Sequence, residues 1–151
     1  MQNDALGYYP EYWKLNNNLG FQSADAIVSF AQRYPRSAMA EKLAADYVEE
    51  KVKHASYADA KSVLSYVTNP DKAESCAVAQ VRAKTGDNLV FAEYKDVWFA
   101  TDSQPESCSG LGRLMLSSPL MTAQDRQLRL WGQLRAGQSG SAIATAQTLG
   151  L

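Results

Sequence analysis

The chain has 151 residues, 46% of them hydrophobic, enough for one compact core or a short repeat array. Its 15 Lys and Arg against 16 Asp and Glu leave a formal charge of −1, with neither the basic excess of a nucleic-acid binder nor a cationic stripe for an anionic membrane surface. No apolar run reaches the roughly 18 residues of a transmembrane helix, and the polar start Met1-Gln2-Asn3-Asp4 reads as no signal peptide.

Helical periodicity dominates from the start of the chain. Tyr9-Pro10-Glu11-Tyr12-Trp13-Lys14-Leu15 opens a first helix, with Pro10 at or near its first position. Ser23 caps a second, whose inner face carries Ile27, Phe30, Ala31 and Tyr34 and which Pro35 ends. The next is expected from about Ser37 to Lys53, burying Ala40, Leu43, Ala44, Tyr47, Val48 and Val52. Ser56 caps a helix through Ala60, Val63, Leu64 and Val67, which stops at Asn69-Pro70. Another spans about Ala73 to Thr85 and closes at Gly86, where a left-handed residue costs little. Four more are expected near residues 89–101, 106–117, 123–136 and 141–149. Period-2 alternation of β-branched residues is nearly absent, so no strand is predicted.

The punctuation repeats. Pro35, Pro70 and Pro105 are each 35 residues apart, and the helices before them begin at Ser23, Ser56 and about Asn88. Two helices in 32 to 35 residues is the period of a tetratricopeptide-like array. A single helical hairpin cannot hide its apolar stripe, so stacked neighbours build one continuous core. The expected fold is therefore all-α, an α-α superhelix or solenoid of antiparallel helix pairs with about 8–9 helices, in one helical-repeat segment over residues 1–151. The apolar, abrupt end at Gly150-Leu151 reads as a fragment of a larger multidomain chain, or as an end covered by something else.

Catalytic chemistry finds few groups to use. Cys76 and Cys108 form no CxxC pair and the only histidine, His54, is distant, so no metal site is expected. From the residues alone the two cysteines are either free and buried or joined to each other. His54 ends a lysine-rich helix, where the helix dipole suits a cationic ring better than a triad suits a base. Asp46, Glu49 and Glu50 share one helix and read as a solvated face rather than two carboxylates across a cleft. No phosphate-cradling or dinucleotide glycine pattern occurs, and no cofactor is implied. Tyr8, Tyr9, Tyr12 and Trp13 form an aromatic cluster, read first as core and second as a platform for sugars. Trp98, Phe99 and Trp131 read as inter-helix packing.

The stretch between the cysteines carries a resemblance. Cys76 on a helix is followed by Lys84-Thr85-Gly86, then Lys95-Asp96-Val97-Trp98, then Ser103-Gln104-Pro105-Glu106-Ser107-Cys108. Together with Tyr9-Pro10-Glu11-Tyr12-Trp13-Lys14-Leu15, Phe30-Ala31-Gln32-Arg33-Tyr34-Pro35 and, more loosely, Arg129-Leu130 and Arg135-Ala136-Gly137-Gln138, this resembles the N-terminal helical domain of the large soluble peptidoglycan lytic transglycosylases. The resemblance implies a periplasmic, Gram-negative setting, in which a lipid anchor outside this chain could tie the parent protein to the outer membrane. It implies a ring of helix pairs supporting a C-terminal lysozyme-like domain, which cleaves the MurNAc–GlcNAc bond and leaves 1,6-anhydro ends. The ring would contact glycan strands, with Tyr8, Tyr9, Tyr12 and Trp13 as candidate contacts. It also implies a Cys76–Cys108 disulfide. Glu106-Ser107 and Gly112-Arg113-Leu114-Met115 echo the family's catalytic Glu-Ser and Gly-Leu-Met-Gln, but the glutamine is missing and the spacing is short. No catalytic residue is assigned, and the chain alone is expected not to be an enzyme. The other reading is a stand-alone helical-repeat module that binds a protein segment.

Overall fold

A computed structural model describes residues 9–96 and 104–149. Among the described residues every regular element is helical. The α-helices are α1 (Tyr9–Asn17), α2 (Ala24–Arg33), α3 (Ala38–Lys53), α4 (Tyr57–Ala60), α5 (Lys72–Lys84), α6 (Val90–Glu93), α7 (Glu106–Leu116), α8 (Ala123–Arg135) and α9 (Ser139–Thr148). Short 3₁₀ segments occupy Leu19–Phe21 and Lys61–Tyr66.

The starts fall into two series. Helices α2, α4, α6 and α8 begin at Ala24, Tyr57, Val90 and Ala123, 33 residues apart each time. Helices α3, α5 and α7 begin at Ala38, Lys72 and Glu106, 34 residues apart, and α9 follows at Ser139. The repeat expected from the prolines is thus a repeat of structure, one pair per unit.

Side-chain caps set several of these starts. The Ser23, Ser37 and Asp71 side chains accept the Ala26, Ala40 and Glu74 N–H groups at 3.2, 3.0 and 2.8 Å. Thr122 and Asp125 form a reciprocal capping box at the head of α8. Three helices end alike. The N–H groups of Ser56, Asp87 and Gln138 reach back to the carbonyls of Lys51, Arg82 and Gln133, around Ala55, Gly86 and Gly137 at φ 55°, 101° and 74°.

Stacking follows the chain. Helix α3 packs on α2 and α5, α5 on α3 and α7, and α8 on α9. Two apolar clusters result. In the first, Ile27, Phe30, Leu43, Tyr47, Val48 and Val63 are fully enclosed with Ala77 and Val81. In the second, Ala79 joins Val90, Leu111 and Met115. Helix α5 feeds both, one face to each, so it is the central rung. Each large side chain so enclosed stabilises the fold by about 1.5–3 kcal/mol before chain entropy is counted.

Some expectations are corrected. The helix predicted from Ser56 to Asn69 is one α-turn followed by a 3₁₀ segment. The residues expected inside still point inward: Ala60 and Val63 are buried, and Leu64 and Val67 pack against the first cluster. Ser56 caps nothing with its side chain; its N–H closes α3 instead. Trp131 is not packed between helices but 58% exposed. Trp98 and Phe99 lie outside the described residues.

Candidate functional site

Helices α3, α5 and α7 run side by side in the same direction, as the contacts between them show. Glu41 on α3 accepts the N–H of Asn69 just before α5, Glu49 lies beside Asp71 and Glu74, and Tyr57 lies under Lys84. Between α5 and α7, Ser107 donates to the Ala73 carbonyl at 2.6 Å, Cys108 is bonded to Cys76, and Gly110 lies against Gln80. Positions advance together along all three helices.

That arrangement leaves a groove of about 550 Å³, with α5 as its floor and α3 and α7 as its walls. The floor is shallow-chained: Ala73 and Ala77 carry only methyl groups, and the buried Gln80 donates its amide to the Ser107 carbonyl at 2.6 Å. Gly110 lets the α7 wall approach Gln80 closely: a Cβ there would come within 2.7 Å of the Gln80 amide nitrogen, and that side chain would have to shift. Glu49 and Lys53 stand on the α3 wall, and Glu106 and Arg113 on the α7 wall.

Glu49, Asp71 and Glu74 bring carboxylate oxygens within 4.8 Å of one another. Burial, then the neighbouring Asp46, Glu74 and Asp71, push the Glu49 carboxyl above the ordinary range. Burial and Asp71 do the same for Glu74. Arg113 pairs with Glu106 at 3.0 Å across two exposed side chains, a contact that water and ligands readily replace.

The disulfide stands behind this groove. Cys76 and Cys108 are joined with both side chains buried, tying the middle rung to the next. Tyr12 is buried in the first cluster, whereas its neighbour Trp13 is 55% exposed with its ring edge-on to Tyr12. Tyr8 and the side chain of Tyr9 lie outside the described residues. His54 is exposed and bonded to Glu50 at 3.0 Å, and Asp46 pairs with Lys42 at 3.2 Å. The three acids read as a solvated face, Asp46, Glu49 and Glu50, are all half-buried, and Glu49 lies beside Asp71 and Glu74 at the start of α5. Glu106 and Ser107, the tempting pair, sit at the first turn of α7, one bonded to Arg113 and the other to the backbone of α5. The groove itself had no mark in the sequence, because its charges come from segments that meet only once the rungs stack.

No family model matches the chain. No curated protein matches it either. Among solved structures, the 70-kDa soluble lytic transglycosylase of Escherichia coli superposes with a TM-score of 0.68 at 21% identity. A structure of the 70-kDa soluble lytic transglycosylase with bulgecin A superposes at 0.67, again at 21% identity. In both cases 96% of this chain is covered but 24% of the other chain, so the shared feature is the fold of a helical portion.

Proposed function

We propose that this chain is a non-catalytic helical scaffold of a periplasmic murein-degrading lytic transglycosylase. In that role it contacts glycan strands and supports a lysozyme-like catalytic domain elsewhere in a longer chain. The observation that carries the reading is the superposition of nearly the whole chain on a portion of such an enzyme, together with the paired cysteines that the sequence resemblance implies. Among the described residues, no helix is long and apolar enough to cross a membrane, which suits this role.

Glu106 faces solvent beside Arg113, and His54 faces solvent beside Glu50. Incubating the purified chain with peptidoglycan sacculi should release no anhydromuropeptides, while the chain should sediment with the sacculi. Release of anhydro products, or failure to sediment, would overturn the reading. The parent reading frame should continue into a domain carrying Glu-Ser and Gly-Leu-Met-Gln. A stop codon after Leu151 would favour the stand-alone interaction module.

A further inference from the structure

We propose that this chain pairs weakly with a second copy of itself through an apolar stripe on the outer face of α8, Leu128, Trp131 and Leu134, with the two α8 helices antiparallel. The inference rests on the stripe alone and not on the parent enzyme.

The place of the stripe is the first observation. All three side chains are about half exposed. Counted back by the 33-residue repeat of the helix starts, Leu128 corresponds to Lys95, Ser62 and Ser29. Trp131 corresponds to Ser65 and Gln32, and Leu134 to Thr68 and Pro35. All of these are exposed, and only Pro35 is not polar. The 3₁₀ segment that carries Ser62 and Ser65 packs on α2, α3 and α5, yet both serines stay in solvent. Stacking therefore leaves this face open, and a further rung would not cover it. Large apolar groups that replace polar ones on such a face mark a contact with another molecule.

The pattern says which molecule. A leucine lies three residues to either side of the tryptophan, so the stripe reads the same in both directions. At 3.6 residues per turn it fills one arc of about 120° centred on Trp131. Around a two-fold axis at that point, Leu128 of each copy meets Leu134 of the other, and the tryptophans meet each other. The charges allow it. The same axis sets the exposed Arg135 opposite the uncharged Gln127, so no like charges face each other. The remaining charged groups of α8 are used within the chain: Asp125 in the capping box, Arg126 at 2.6 Å from the Ser118 carbonyl, and Arg129 beside Gly112. A net charge of −1 per copy adds little long-range repulsion. Three half-exposed large side chains offer on the order of 300 Å² of apolar surface per copy. With a polar rim, one helix seam falls short of the roughly 800 Å² per partner of a stable complex. The pair should therefore dissociate at about 10–100 µM.

Sedimentation velocity of the full chain from about 5 to 500 µM tests this, and the sedimentation coefficient should rise from monomer toward dimer across that range. Trp131→Gln should weaken pairing at least tenfold. Leu128→Lys and Leu134→Glu should each do the same alone. Mixed in equal amounts, those two should associate again, because the introduced lysine of one meets the introduced glutamate of the other while the remaining leucines still touch. Recovery on mixing also shows that both variants fold. A monomer at every concentration, pairing indifferent to Trp131→Gln, or no recovery in the mixture would overturn the proposal; the first would leave the stripe to a different partner.

Discussion

Ala55 occupies, at the end of α3, the left-handed position that Gly86 and Gly137 fill after α5 and α8. The hydrogen bonds around the three are the same, so the backbone demand is the same, but only Ala55 carries a Cβ into it. Ala55→Gly should therefore raise stability by about 0.5–1 kcal/mol, and Gly86→Ala should lower it by a similar amount. Chemical denaturation of both variants checks the pair, and a loss on Ala55→Gly would show that another contact of its methyl group dominates. Glu49 yields a pH-dependent prediction. Its carboxyl is raised by burial and by three acids, so the folded chain holds the proton more tightly than the unfolded chain does. That contribution is in place below the unfolded carboxylate value and lost as pH rises through the folded one. At pH 7 the charge thus opposes folding. Glu49→Gln should melt higher than the parent at neutral pH, and the gap should close as pH falls to about 4. Equal melting temperatures at pH 7 would contradict the electrostatic account.

The elements separate what patterning reveals from what it hides. Helices α2 and α3 were legible because caps, periodic apolar residues and a proline agree: Ser23 and Ser37 at the starts, Ile27, Phe30, Leu43 and Tyr47 inside, Pro35 between. The segment 61–66 departs from the expected α-helix because Ser62, Val63, Ser65 and Tyr66 are indifferent helix formers, although its apolar residues face the core as the pattern predicts. Trp131 was misread because a periodic aromatic normally marks a core face, whereas α8 buries only Gln133, through the bond that Thr145 donates to it at 2.6 Å. The groove was invisible for another reason: residues 34 positions apart become neighbours only through stacking. Caps should be measurable one by one. Thr122→Ala removes one half of the capping box of α8 and should cost about 1 kcal/mol, read as a loss of helicity at 222 nm on mild heating. A cost near zero would mean that Asp125 alone holds the turn.

At the scale of the molecule, stability should be graded along the stack, because each pair is held by its neighbours. The α2–α5 region encloses Phe30, Leu43, Tyr47 and Val48, whereas α8 and α9 leave Leu128, Trp131, Leu134 and Ile143 open to solvent. Amide exchange should therefore be slowest in α3 and α5 and fastest in α8 and α9. Uniform protection would show one closed cooperative unit instead of a stack. The disulfide acts against this gradient by pinning α7 to α5 across a sequence separation of 32. Reducing it should lower stability by about 3–4 kcal/mol on the chain-entropy account, seen as a drop in the denaturation midpoint with dithiothreitol.

The same bond changes what a cut backbone looks like. A protease that severs the chain once anywhere between Cys76 and Cys108 leaves two pieces that still share a covalent sulfur link. They will migrate as a single band in a denaturing gel until a thiol is added, and only then separate. Backbone continuity in this region is therefore backed up, and such a nick stays hidden from any separation by size run under oxidising conditions.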